Sequence, residues 1–404
     1  MLTYTYAARD LRTGHKVEAE IQAENEKAAT KLLVERGLTP LDIQVKGKSG
    51  SAMHNFRNRV KTKDKVIFSR QLSTLINAGL PLVQSLNTVK RQTSSKTFQA
   101  VIGEVVVDVE AGSTLSDSMA KHPRVFSNVY TSLVAAGETS GTLDTSLERL
   151  ANQQEKDAEI VSKVRGALIY PLIVMLVLVG VVTFMLTTVL PQVQTLYDGL
   201  PGAELPFVTK LLLAISGIIT KFWWVIAIIL VISGILSVRW ARTPAGQQVV
   251  DELKMRLWPI GPLYRKLYMA RFARTGATLI GSGVPMIKML TTTADAVGNV
   301  QVADSVIKAT EKVKGGKSLS DALAGDPYFL DLVPDMIKIG EQSGQLEGML
   351  GKVADYYEKE VDNQIKSIST IIEPALMVMV GIIALIVVAA ILLPIYSLAG
   401  NNLL

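Results

Sequence analysis

The stretch Gly137-Glu-Thr-Ser-Gly-Thr-Leu-Asp144 occurs a second time as Gly340-Glu-Gln-Ser-Gly-Gln-Leu-Glu347. Working outward, Phe68-Ser-Arg70 returns as Phe272-Ala-Arg274. Leu75, Gly79 and Pro81 return as Leu279, Gly283 and Pro285. Gly112, Leu115, Ser116 and Asp117 return as Gly316, Leu319, Ser320 and Asp321, and Pro123 as Pro327. After a slip of one residue, Pro171 and Pro191 return as Pro374 and Pro394. The period is about 204 residues, far longer than a solenoid repeat, so the chain is a duplicated domain.

Each copy reads as helices joined by short turns. Ile67, Phe68, Leu72, Leu75 and Ile76 keep helical spacing, and Gly79 with Pro81 stops one helix and opens the next. Ser113 or Thr114 ahead of Asp117, and Ser318 ahead of Asp321, have the form of a capping box. About six helical segments precede the apolar run of each copy, which predicts antiparallel helical bundles over residues 62–166 and 239–370. Two readings of the repeated stretch stand side by side. In the first, Gly137 and Gly340 end a helix in the left-handed region, Ser140 or Ser343 caps the next helix, and Leu143 or Leu346 re-enters the core. In the second, the turns are partner-contact or hinge positions, with Glu138 and Glu341 exposed and Gly141 and Gly344 completing each turn.

Hydrophobic residues make up 49% of the 404 residues, and the mean hydropathy is +0.30. The excess is concentrated in three stretches, which predicts an integral membrane protein. Residues 167–190, 222–238 and 374–398 are the expected spans. Residues 191–221 form a loop and an amphipathic segment, and residues 399–404 a tail. Lys163 and Arg165 precede the first span and Arg239 and Arg242 follow the second, whereas Asp198 and Glu204 sit in the intervening loop. The positive-inside rule then puts the N-terminus and both bundles in the cytoplasm, and the loop and tail in the periplasm. Trp223, Trp224 and Trp240 suit an aromatic belt. The net charge of +6 fits positive-inside loops rather than nucleic-acid binding. Residues 1–45 read as a small αβ module: a hairpin turning at Arg12-Thr-Gly14, a helix from Glu26 to Arg36, and a third strand from Leu41 to Val45. Residues 46–61 are a basic linker. Met1 to Glu20 lacks the apolar core of a secretory signal.

No set of residues for catalysis stands out. Lys314-Gly-Gly-Lys-Ser318 lacks the first glycine and the preceding strand of a phosphate loop, and its duplicate, Glu110-Ala-Gly-Ser-Thr114, lacks the lysine. The histidines, His15, His54 and His122, are far apart, and there is no cysteine, which removes thiolate metal sites and disulfides. Glu104, Asp108 and Glu110, like Asp144, Glu148, Glu155, Asp157 and Glu159, fall at helical spacing beside lysines and read as solvated faces. No cofactor, metal or enzymatic activity is expected. Glu373, next to Pro374 at the edge of the last span, is the ionisable group most costly to place there. Its duplicate is Tyr170, beside Pro171.

The αβ module, the bundle ending in Gly-Glu-x-Ser-Gly, the segment Lys163-Val-Arg-Gly-Ala-Leu-Ile-Tyr-Pro171 leading into a span, and the second copy with its final span together form a recognisable pattern. The chain resembles the inner-membrane platform proteins of type II secretion systems and type IV pili (the general secretion pathway F / pilus assembly C family). The resemblance covers nearly the whole chain. It implies a non-enzymatic, homo-oligomeric hub of the bacterial inner membrane. Its implied partners are a cytoplasmic hexameric assembly ATPase, pilin or pseudopilin subunits and other inner-membrane alignment proteins. Tyr170, Pro171, Glu373 and Pro374 are the implied places for pilin contact in or near the membrane. The alternative is a membrane-anchored scaffold or signalling adaptor unrelated to filaments.

Overall fold

The computed structural model describes residues 2–10, 16–23, 28, 30, 32–33, 37–45, 60–192, 195, 207–257 and 260–401. The expected turn at Arg12–Gly14, most of the helix from Glu26 to Arg36, and the linker up to residue 59 lie outside them. Three strands build the N-terminal module: β1 (Leu2–Asp10), β2 (Lys16–Ala23) and β3 (Leu38–Val45). They form an antiparallel sheet in the order β2-β1-β3, with a bulge in β1 at Ala7/Ala8. Ala8, Ile21, Ala23 and Leu33 close a small apolar core.

Six helices form the first copy: α1 (Thr62–Asn77), α2 (Leu82–Gln92), α3 (Lys96–Glu110), α4 (Leu115–Ala120), α5 (Asn128–Ser140) and α6 (Leu143–Phe184). A π-helical turn, Met185–Val189, continues α6. Next come α7 (Phe207–Ala241) and α8 (Pro244–Arg256), which has no counterpart in the first copy. The second copy repeats the six: α9 (Gly261–Gly281), α10 (Met286–Val297), α11 (Val300–Lys314), α12 (Leu319–Leu323), α13 (Leu332–Ser343) and α14 (Leu346–Asn401). The predicted count of six per copy holds. So does the capping: the side chain of Thr114 accepts from the Asp117 amide and that of Ser318 from the Asp321 amide.

The two cores are built alike. Phe68 packs on Phe126 with ring centroids 5.9 Å apart, and their duplicates Phe272 and Phe329 meet edge to face at 5.0 Å. All four are essentially buried, each contributing on the order of 1.5–3 kcal/mol of apolar burial. Burial also pushes the phenol of Tyr130 up, although it is hydrogen-bonded to Ser69 at 3.2 Å.

Three helices are long and apolar enough to cross a membrane: Leu143–Gln192, Thr209–Ala241 and Leu346–Leu392. Here the expected boundaries change. The first and third spans are not separate elements, because α6 and α14 run without a break from the bundle into the apolar segment. Pro171 therefore lies in the interior of a 42-residue helix rather than near a helix start. Its missing amide leaves one carbonyl without its helical donor, a defect the long helix absorbs. The segment before residue 222 is not a separate interfacial element. It belongs to α7, which bends at Phe222 (φ −116°, ψ 20°), and its Thr209 and Ser216 hydroxyls donate to the Ala390 and Leu186 carbonyls.

Candidate functional site

The repeated stretch forms the same corner twice. The residue in the left-handed region is the second glycine of each copy, Gly141 at φ 71° and Gly344 at φ 69°. The amide of Thr142 donates back to the Gly137 carbonyl, as that of Gln345 does to Gly340, both at 2.9 Å. This is a Schellman end, in which glycine is favoured because it has no Cβ to clash at positive φ. Gly137 and Gly340 are helical and buried instead. A Cβ on Gly137 would lie 2.7 Å from Ser146 Cβ, and one on Gly340 would lie 2.9 Å from Leu346 Cα. The first glycine thus lets two helices touch, and its assignment to the left-handed region is corrected. The serines differ from expectation as well. Ser140 donates to the Ala136 carbonyl and Ser343 to that of Ile339, both at 2.7 Å, so neither caps the following helix.

The glutamates turn inward. Glu138 accepts from the Leu115 amide at 2.5 Å, from the Ser116 amide at 3.0 Å and from the Ser116 hydroxyl at 2.5 Å. Glu341 repeats the set, from the Leu319 amide at 2.6 Å, the Ser320 amide at 3.2 Å and the Ser320 hydroxyl at 2.6 Å. Each half-buried carboxylate satisfies free amides at the start of a helix of only six or five residues, α4 or α12. An exposed glutamate at the tip of each bundle is therefore not what the fold contains. Thr139, Ser140, Gly141 and Thr142 are the exposed part of the first corner, and Gln342, Ser343, Gly344 and Gln345 of the second.

A second repeated device was not drawn from the sequence, although Phe-x-Arg marked it. Arg70 on α1 grips both oxygens of Glu155 on α6, at 2.6 and 2.5 Å, and also Asn152. Its duplicate Arg274 on α9 donates to Glu358 at 2.8 Å and to Asp355 at 2.5 Å on α14. The Glu155 hydrogen bond holds the Arg70 guanidinium above its ordinary range. In Arg274 burial works against the charge, and the Glu358 and Asp355 carboxylates outweigh it. Each long helix is thus tied to the first helix of its own bundle at the same point.

Between the copies the contacts are polar at several points. Gln153 donates to Thr275 at 3.0 Å in a buried position, Arg149 pairs with Glu347 at 2.9 Å, and Lys163 pairs with Asp362 at 2.5 Å. The Arg149–Glu347 pair passes over the bare backbone of Gly281, where a Cβ would fall 1.7 Å from the guanidinium. Further along, Ile160, Leu263, Leu267, Val361 and Ile365 form an apolar cluster joining α6, α9 and α14. Of the residues near the spans, Tyr170, Glu373 and Pro374 are exposed and Pro171 is half-buried. No hydrogen bond or ion pair engages Tyr170 or Glu373 among the described residues. Among those residues, too, no three His, Asp or Glu side chains are grouped to hold a metal.

The doubled corner, the doubled clamp and the helices that run from bundle to span are the features by which to compare the chain with known proteins. The family model for type II secretion system protein F matches twice, at residues 68–191 and 272–394, and the model for that protein's N-terminal domain matches residues 1–44. The chain belongs to the type II secretion system protein F family. Each match begins on the phenylalanine of the Phe-x-Arg clamp and ends near the proline beyond the corresponding span. A type IV pilus assembly protein PilC of Thermus thermophilus is 40% identical over 406 residues, covering 99% of each chain. One of the same name from Myxococcus xanthus is 37% identical, over 96% of this chain and 93% of its own. A type II secretion system protein F of Vibrio cholerae is 34% identical over the full length of both. As in the rest of the family, this is a multi-pass membrane protein with a duplicated domain.

Proposed function

We propose that the chain is a non-enzymatic platform in a bacterial inner membrane, serving type IV pilus or type II secretion pseudopilus assembly. It couples a cytoplasmic hexameric ATPase to the insertion and extraction of pilin or pseudopilin subunits. Full-length likeness to proteins bearing both names carries this reading. The geometry gives it a mechanism. The helices α6 and α14 are each tied to a bundle by an arginine clamp and continue into the membrane. A push on a bundle therefore moves its span as one body, since an intact helix transmits displacement along its hydrogen-bonded axis.

In this reading the N-terminus and both bundles lie in the cytoplasm and the C-terminus in the periplasm, as the basic residues flanking the spans require. The exposed rims of the two corners, around Ser140–Gly141 and Ser343–Gly344, are the hinge or motor-contact positions. Glu138 and Glu341 support those corners from inside. Tyr170 and Pro171 on one helix and Glu373 and Pro374 on the other are the positions for pilin contact, and the unequal pair Tyr170/Glu373 gives the two spans different roles. Inner-membrane alignment proteins and further copies of the chain complete the assembly.

The test is a clean deletion in the source organism. Filaments or secretion should be lost and return with the intact gene, and the purified chain should hydrolyse no ATP by itself while binding the motor. Normal piliation and secretion without the gene would sink the reading. Fusion reporters at residue 1 and residue 404 check the orientation.

A further inference from the structure

A cleft of ≈ 510 Å³ opens between α6, α8 and α9. Three cations line it, Arg165, Lys254 and Arg271, together with Tyr264 and Tyr268, and its lining contains no acidic residue. On α6 the lining residues run from Val161 through Arg165 to Ile169 and Leu172, one face of about three turns. That face crosses the point, at Ala167, where charged residues stop. The cationic end of the cleft is therefore at the water side of the membrane boundary. The apolar end lies within the span, where Ile169 and Leu172 are 51% and 68% exposed.

The cations are not equally committed within the protein. Arg165 has no hydrogen bond or ion pair among the described residues. Lys254 pairs with Asp251 at 2.8 Å, and that carboxylate also accepts from the Val300 amide. Arg271 makes only a long bond, 3.5 Å, to the Val297 carbonyl. An independent feature places this region at the bilayer surface. The helix α8 starts three residues after the second span ends at Ala241, and it buries Asp251 and Met255 against the bundle. Its opposite side presents Val249, Leu253 and Leu257 at intervals of four, each about half exposed. Trp240, at the junction, is exposed too. A stripe of this kind beside a membrane helix, flanked by Arg239, Arg242 and Arg256, is what an interfacial helix lying on anionic lipid presents.

We propose that the cleft binds the headgroup of one anionic phospholipid from the leaflet nearest the bundles, with Arg165 and Lys254 on its phosphate and its acyl chains along Ile169 and Leu172. Guanidinium and ammonium groups on one side, with an apolar wall in the span, match the two ends of such a lipid. The tyrosines supply hydroxyl donors at the depth where amphipathic rings are favoured. The bound lipid would brace α8 and the start of the second bundle against the first span.

The test uses the full-length protein in detergent micelles, examined by native mass spectrometry with phosphatidylglycerol, phosphatidylcholine or inorganic phosphate. One phosphatidylglycerol should be retained in preference to phosphatidylcholine. R165Q and K254Q should each weaken retention about fivefold, and the double variant more. R256Q, whose side chain is 75% exposed and paired with Glu252, should retain the lipid normally. Because Arg165 makes no internal bond, R165Q should also melt like the wild type, which separates lipid loss from misfolding. Equal retention of phosphatidylcholine, undiminished retention by R165Q, or displacement of the lipid by inorganic phosphate would each overturn the proposal. The readout is lipid retention alone, so its failure is distinct from failure of the assembly reading.

Discussion

At the scale of single residues, the two glycines of each corner do different work, and substitutions should separate them. Gly137→Ala or Gly340→Ala forces a methyl into Ser146 or Leu346 and should cost on the order of 1–3 kcal/mol, the usual penalty for overpacking. Gly141→Ala meets open space and pays only for its positive φ, about 1–2 kcal/mol. Urea titrations of the detergent-solubilised protein would distinguish the two if combined with Ser146→Gly, which should rescue Gly137→Ala and leave Gly141→Ala unchanged. For Glu138, replacement by lysine removes the amide acceptors of α4 and places a cation at a helix start. It should lower the melting temperature more than Thr139→Lys does on the same turn. The reverse order would restore Glu138 to a purely external role. The sequence announced the corner through its repetition, yet it did not show which glycine was left-handed. Both tolerate that conformation, and only the approach of Ser146 and Leu143 decides. The inward turn of the glutamate was hidden for a related reason, since its partners lie 22 residues back across a bend.

The elements extend this contrast. Charge patterning marks where water stops, and on that basis the spans were placed correctly along the chain. It does not mark where a helix starts, and α6 was missed as one body because its polar and apolar halves carry different patterns. Continuity has a consequence that insertion can read. Two alanines after Arg165 turn the span about 200° relative to its bundle, whereas seven residues turn it about 700°, nearly restoring phase. Assembly should fail with the first and survive with the second, scored by filament counts or secreted product. Equal outcomes would mean that the span needs no fixed orientation. The clamp is also an element-level device. Arg70→Lys keeps the charge and loses the fork, and should cost about 1 kcal/mol or less, since Arg70 and Glu155 are both more than a third exposed. Arg70→Ala should cost more, because the arginine stem also covers apolar surface.

For the molecule as a whole, the seam between copies decides whether the two bundles move together. Lys163 lies between Asp362 of the other copy and Glu159 of its own helix. Lys163→Glu should destabilise the seam, and adding Asp362→Lys should recover part of the loss, a coupling of about 0.5–1 kcal/mol in a double-mutant cycle. Absence of coupling would leave the apolar cluster around Leu263 and Val361 as the main bond between halves. The duplication itself was legible from residue identities, because equivalent folds keep equivalent turn residues. The seam was not, because its contacts are not duplicated.

That last point follows from the pair Gln153 and Thr275. The positions equivalent to them are Tyr356 and Gln71, which cannot reproduce the bond. Two identical subunits around a twofold axis must offer every contact twice, so a change on one side is imposed on the other. Joining the halves in one polypeptide removes that obligation. Each half is then free to acquire its own vocabulary of surfaces while the shared corner and clamp keep the two architectures alike. Any ligand of such a chain meets a left hand and a right hand, and a mutation in one is a lesion in that hand only.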